Sequence, residues 1–337
     1  MDTLTHALSG ALLARATASM DAPPRSIPRR IAAGFFASAA PDLDFVVGFL
    51  GPVEYLLHHR GATHSLVLLP LWALAVSWVL SKILRAPGGW RELYGVSALG
   101  IGTHIAGDVI TSYGTMVFAP LSDWRAGIGT TFIIDLWFSG IIVVGLVFSV
   151  LFYRSRIPSI AAAAILAGYV GFQYVQKQNA LEFARSYVNE KGLKNAQINA
   201  QPRPVSPFNW TVFVSDDEAH RFAHVNLKRE FLKIYQPGDG FVAKLDAGYL
   251  PLERAIWVTR SRYGETDADF IRQAWNSDAL GAFRWFAELP ALDGAAKGCA
   301  WFVDLRFLTP GRDFVPFRYG ACRGERGAAW RLLAPAD

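Results

Sequence analysis

The chain has 337 residues, of which 52% are hydrophobic and 18% charged, with a net charge of +5; soluble domains carry about 25% charged residues. Residues 1–176 hold nine acidic and eleven basic side chains, whereas residues 177–337 hold 19 and 22. This division excludes both a single soluble domain and a wholly intramembrane protein, and predicts a helical membrane domain over 1–176 followed by a soluble domain over 177–337.

The first element, residues 3–18, reads as a short amphipathic or re-entrant helix. Asp2 stands where a signal peptide needs a basic start, and His6 interrupts the apolar stretch. Five longer apolar segments follow: 31–50, bent by Pro41; 66–84; 93–118, carrying His104 and Asp108; 132–153, opening near Asp135; and 157–176. Each approaches the roughly 20 residues that a membrane helix needs. Three basic clusters set the orientation: Arg25, Arg29 and Arg30; Lys82, Arg85 and Arg91; Arg154 and Arg156. All fit one side, which the positive-inside rule makes cytoplasmic. The chain is therefore expected to cross its membrane several times, with the bacterial inner membrane as the expected location. The last segment then leaves residues 177–337 in the periplasm or outside.

The second half reads as α+β with a mainly antiparallel sheet. A helix is expected over 179–194, then a break at Pro202, Pro204 and Pro207. Strands are expected over 210–215, 222–227, 241–245, 255–260, 300–307 and 314–319, with one long helix over 267–289. Cys299 and Cys322 are the only cysteines. With no CxxC pair a thiolate zinc site is excluded, and a disulfide is left open. The absence of any long Lys/Arg run argues against a nucleic-acid partner.

Five of the seven histidines lie in the first 104 residues, where polar groups are costly and tend to be functional. His104 and Asp108 are spaced i, i+4, so imidazole and carboxylate share one helix face. Asp42 and Asp44 follow Pro41, where regular helix ends. His59 and His64 flank Arg60-Gly61 in a short loop, and His58 reads as a neighbour. His6 has Gly10 one turn away, and Asp135 is an additional acid. Gly100, Gly102 and Gly107 leave room for close helix approach. Together these elements offer His nitrogens and Asp oxygens to a metal. Nitrogen and oxygen donors without sulfur suit Zn²⁺, with Mn²⁺ or Fe²⁺ as alternatives, and the number of donors allows one to three ions. In a hydrolytic reading, Asp42 or Asp44 takes a proton from water and Arg60 stabilises developing negative charge. His220 and His224, in strand-like sequence, read as surface or core residues.

Taken in order, Asp2-Thr3-Leu4-Thr5-His6, Pro41-Asp42-Leu43-Asp44, His59-Arg60-Gly61-Ala62-Thr63-His64-Ser65 and His104 to Asp108, followed by Thr111-Ser112-Tyr113-Gly114-Thr115, resemble the YdjM-like membrane-bound metal-dependent hydrolases. The order of His and Asp is also similar to that of zinc-dependent phospholipase C enzymes. The resemblance covers about residues 1–176. It implies a multi-pass membrane protein with a divalent-metal site, whose motif positions are matched by His6, Asp42, Asp44, His59, His64, His104 and Asp108. A lipid or lipid-linked phosphoester is the expected substrate because these residues fall at the outer headgroup level, where phosphates lie. Two other readings compete. An ion transporter would use the same His and Asp as a path across the bilayer. A membrane-anchored scaffold would use its soluble half to bind a partner.

Overall fold

The computed structural model describes all residues except 20, 22, 24, 25, 265, 313, 324–328 and 335–337, so Arg25 of the first basic cluster lies outside the described residues. The chain divides into two compact units, Met1–Leu50 with His58–Tyr174, and Gly51–Leu57 with Val175–Asp337.

The helical region runs α1 (Thr3–Ala16), α2 (Ser26–Ala39), a 3-10 segment (Ala40–Leu50), α3 (Pro52–His58), a 3-10 turn (Ala62–His64), α4 (Leu69–Ile83), α5 (Trp90–Val109), α6 (Leu136–Leu151) and α7 (Ile157–Lys191). Among the described residues, two segments are long and apolar enough to cross a membrane, Ser26–Leu50 and Ile157–Lys191. A third is added if the bent pair Pro52–His64 and Leu69–Ile83 counts as one span. This is fewer than the five expected segments, and each shortfall has a local cause. α5 stops at Val109, because residues 110–118 turn into a loop with Gly114 at φ +90°. α6 starts only at Leu136, because Asp135 caps it by accepting from the Trp137 and Phe138 amides. α7 runs 35 residues and absorbs the helix expected over 179–194, since no proline or glycine separates the two.

Glycines at helix crossings set the packing of the first unit. A Cβ at Gly34 would lie 2.6 Å from both the Gly10 carbonyl oxygen and Ala14 Cβ, and one at Gly100 would lie 3.0 Å from Gly34 O and Ser38 N. Helices α1, α2 and α5 thus approach backbone to backbone. Gly102 differs from the expectation: its nearest neighbour would be Leu69 Cδ1 at an ordinary 3.7 Å. The basic groups gather at one end of these helices. Arg29 pairs with Glu92 at 2.7 Å, and Arg15 and Arg156 donate to carbonyls of residues 153 and 155 and of residue 18. The His and Asp residues sit at the other ends of α1, α2 and α5.

The second unit holds two sheets. The five-stranded sheet comprises β1 (Gln197–Pro202), β2 (Asn209–Ser215), β3 (Ala219–Asn226), β4 (Leu250–Pro251) and β5 (Val258–Ser261). It is ordered β1-β2-β3-β4 with β5 also on β3, and only the β3–β4 pair is parallel. The antiparallel sheet is β6 (Pro290–Ala296), β7 (Cys299–Asp304), β8 (Arg318–Cys322) and β9 (Arg331–Leu333) in sequence order. Strand β2 is buried on both faces. Trp210, Val212 and Val214 pack with Ala180 and Ala184 of α7, and Phe213 packs with Phe222, Leu289, Ala291 and Val303. The strand expected over 241–245 is instead helix α8 (Phe241–Ala247), because Phe241 and Leu245 are also one helical turn apart. The long helix expected over 267–289 breaks into α9 (Ala268–Asn276) and α10 (Gly281–Phe286), since Ser277 is extended (ψ 154°).

Burial, reinforced by the Arg203 guanidinium, pulls the His224 imidazole down to about 3. An unfolded histidine titrates near 6.5, so between these values the unfolded chain binds the proton and the folded chain does not. Stability is therefore complete above about pH 6.5 and falls with decreasing pH, by up to about 1.4 kcal/mol per pH unit. Urea unfolding followed by tryptophan fluorescence at pH 7, 6 and 5 should show this slope, and His224→Gln should flatten it. An unchanged slope in the variant would assign the dependence elsewhere.

Candidate metal centre

Four donors converge on one point. One ligand atom each from Asp42, His64, His104 and Asp108 lies within 4.8 Å of the others, and His64, His104 and Asp108 are buried. Each is delivered by a local device. Pro41 lacks the N–H that would continue α2, so the chain tightens to 3-10 geometry and turns Asp42 and Asp44 out of the helical register. Asp42 Oδ2 accepts from the Thr3 hydroxyl at 2.6 Å. His104 and Asp108 share one face of α5. His64 closes a tight turn in which Arg60 adopts φ +58°, a conformation that non-glycine residues hold only when surrounding contacts enforce it. Those contacts are the Arg60 amide donating to Asp44 Oδ2 at 2.9 Å and the Arg60 carbonyl accepting from the Met116 amide at 2.9 Å.

The imidazole tautomers follow from their partners. His104 Nδ1 lies 2.6 Å from the Ser38 carbonyl oxygen, which only accepts, so Nδ1 carries the proton and Nε2 a lone pair. His64 Nδ1 lies 3.3 Å from Asp44 Oδ2 and 2.9 Å from the Thr63 hydroxyl. That hydroxyl donates to Asp44, so His64 Nδ1 also carries its proton. The two Nε2 lone pairs then face each other at 2.8 Å. Asp108 Oδ2 lies 3.2 and 3.5 Å from them, and Asp42 Oδ1 lies 3.9 and 3.5 Å away. Asp108 Oδ2 is buried with no hydrogen-bond donor among the described residues.

Two lone pairs and two carboxylate oxygens directed at one point make a strongly cation-attracting position. A tetrahedral ion with bonds of about 2.0–2.1 Å holds its donors about 3.3 Å apart, which the observed separations bracket. The donor set thus fits a divalent metal.

The other expected residues surround this group. His6 Nε2 lies 3.0 Å from Asp108 Oδ1, and its ring stacks on His104 with centroids 3.7 Å apart. Gly107 makes room for it, since a Cβ there would lie 3.0 Å from His6 Cε1. Arg60 Nη2 pairs with Asp108 Oδ1 at 3.0 Å, and the Met1 amino group contacts the same oxygen. Asp44 Oδ1 lies 2.7 Å from His59 Nδ1, so Asp44 bridges His59 and His64 rather than joining the four. Asp135 also lies apart: besides capping α6 it accepts from Gln173 and Tyr169, at 2.7 and 3.0 Å. Sequence reasoning missed the Ser38 carbonyl, which carries no side-chain signal, and gave no role to Tyr113, whose ring contacts both His59 and Arg60.

A family model described as YdjM inner membrane protein matches residues 1–180. Among curated proteins, the "Uncharacterized protein YfhP" of Bacillus subtilis (strain 168) is 26% identical over 180 residues, covering 52% of this chain and 54% of that protein. The chain therefore spans about half the length of that relative. No solved structure matches.

Proposed function

Since this chain belongs to the YdjM inner membrane protein family, we propose that it is a membrane-bound, metal-dependent hydrolase that cleaves a phosphoester of a lipid or lipid-linked substrate. The observation that carries the reading is the pair of facing Nε2 lone pairs of His64 and His104 beside the unpartnered Asp108 Oδ2. Asp42, His64, His104 and Asp108 would hold the ion, with Zn²⁺ favoured by nitrogen and oxygen donors, and Asp42, the most open of the four, would give up its place to water in the catalytic state. Such an ion, when bound, lowers the pKa of a coordinated water and polarises a phosphoryl oxygen.

The remaining roles belong to the chain. Asp42 is the most open of the four donors, 14% exposed against 0% for the others, and is the proton acceptor in this reading. Asp44 fixes both His59 and His64 through their Nδ1 atoms. Arg60 holds Asp108 Oδ1, leaving Oδ2 directed at the metal position, and its positive charge offsets that of the accumulating anions. His6 presses on the face of the His104 ring.

In the same reading, residues 1–176 form a multi-pass domain in the bacterial cytoplasmic membrane, and residues 177–337 face the periplasm. The Cys299–Cys322 disulfide supports that placement. It joins directly opposed residues of β7 and β8, and such bonds persist in oxidising compartments. Maleimide labelling of the protein from rapidly acid-quenched cells should therefore modify neither cysteine before reduction and both after it. Free thiols in the unreduced sample would place the domain in the cytoplasm.

The activity is tested with the detergent-purified protein by bound-metal analysis and by phosphate or phosphoester release from a panel of phospholipids and isoprenoid phosphates. Turnover that is lost on chelation and restored by Zn²⁺ supports the hydrolase. A metal-loaded protein that cleaves nothing but carries the ion into vesicles would support a transporter instead.

A further inference from the structure

The second unit holds a cleft of about 390 Å³ at the end of the five-stranded sheet, where the β2–β3 turn meets the start of β6. This volume is in the range of ligand pockets, about 300–1,000 Å³. Most charged groups in its wall are already engaged. Asp216 pairs with Arg221 at 2.5 Å and accepts two backbone amides. Glu288 pairs with Arg306 at 2.6 Å. The His220 ring is bonded at both nitrogens, to Ser215 Oγ at 2.7 Å and the Pro290 carbonyl at 2.9 Å. Two opposite charges remain. Arg262 buries its Nε with no acceptor, and Asp217 has no hydrogen bond or ion pair among the described residues. Side-chain amides of Asn195, Gln197 and Asn199 complete the polar lining, with Leu289 as an apolar patch.

We propose that this cleft binds a small zwitterion, with its anionic group on Arg262 and its ammonium group on Asp217. A guanidinium presents a fork of donors that matches carboxylate or phosphate, and an isolated carboxylate matches a primary ammonium. The shared chemistry is therefore an anion and an N–H-bearing cation in one small molecule. It is found in a dipeptide and in phosphoethanolamine. The proposal does not depend on the metal site or on hydrolysis.

Calorimetric titration of the full-length protein in maltoside micelles tests it, with phosphoethanolamine and L-alanyl-L-alanine as probes. At least one should bind, and the preferred one identifies the anion as phosphate or carboxylate. Phosphocholine, whose quaternary nitrogen has no N–H, should bind about 10-fold more weakly than phosphoethanolamine, and inorganic phosphate more weakly still. Arg262→Gln and Asp217→Asn should each weaken binding by about 10–100-fold. Arg262→Lys keeps the charge without the fork and should fall between wild type and Arg262→Gln, which separates loss of recognition from loss of fold. Failure of both probes to bind, affinities unchanged in Arg262→Gln and Asp217→Asn, or inorganic phosphate binding as tightly as the preferred zwitterion would overturn the proposal.

Discussion

His104→Ala is expected to leave the purified protein without its divalent ion. The substitution removes one of two facing Nε2 donors and the Nδ1 anchor to the Ser38 carbonyl. Loss of a residue that only orients a ligand costs about 10–100-fold in metal affinity. Loss of the ligand should exceed that, whereas Asp44→Asn should fall within it, since Asp44 acts through His59 and His64. Competition with a chromogenic chelator measures both. Equal metal content in wild type and His104→Ala would remove His104 from the centre.

Gly10→Val is expected to abolish folding of the helical unit. A Cβ at Gly10 would overlap the Gly34 carbonyl oxygen and Ser38 Cβ. Backbone cannot move aside as a flexible side chain can, so the cost should lie at or above the upper end of the roughly 1–3 kcal/mol typical of overpacking. It outweighs the helix-propensity gain of less than 1 kcal/mol on replacing glycine. Relief requires α1 and α2 to separate, which moves the Ser38 carbonyl that orients His104. The variant should therefore lose metal as well as yield. Gly102→Ala is the control: its nearest neighbour would be 3.7 Å away, so it should be neutral or slightly stabilising. Yield in a membrane fraction and a detergent melting curve check both, and a well-folded, metal-loaded Gly10→Val protein would refute this packing argument.

Much of the centre was legible in the sequence because its donors sit on short-range patterns. His104 and Asp108 follow from helical spacing, and Asp42 from the proline that ends α2. What spacing could not do was separate donors from their supports. Asp42 and Asp44 are equivalent in sequence, yet Asp44 turns toward His59 and the Arg60 amide while Asp42 turns toward the two imidazoles. His6 reads as a ligand by sequence, and its Nε2 lies 3.0 Å from Asp108 Oδ1 beside the group of four. These differences arise from contacts between residues up to 102 positions apart. The likeness to zinc-dependent phospholipase C rests on residue order alone.

In the second half, the strands that alternate or run apolar, such as 210–215, were legible. β1 and β6 were not. Gln197-Ile198-Asn199-Ala200-Gln201-Pro202 alternates, but it has one β-branched residue and ends on proline beside Pro204, and Pro290 to Ala296 is built largely from small residues. Both are strands because neighbouring strands pair with them, a tertiary effect that outweighs weak local preference. The disulfide was open for a similar reason: a separation of 23 residues permits it, but only the register of β7 on β8 sets Cys299 opposite Cys322.

In the proposed function, two imidazoles and two carboxylates of the helical unit hold one divalent ion. X-ray absorption at the edge of the metal that copurifies with the wild-type protein tests it most directly. About four nitrogen and oxygen neighbours are expected at roughly 2.0–2.1 Å, with the outer-shell scattering of two histidines, reduced in His64→Ala and in His104→Ala. Sulfur in the first shell, no histidine signature, or a spectrum identical in those variants would contradict it.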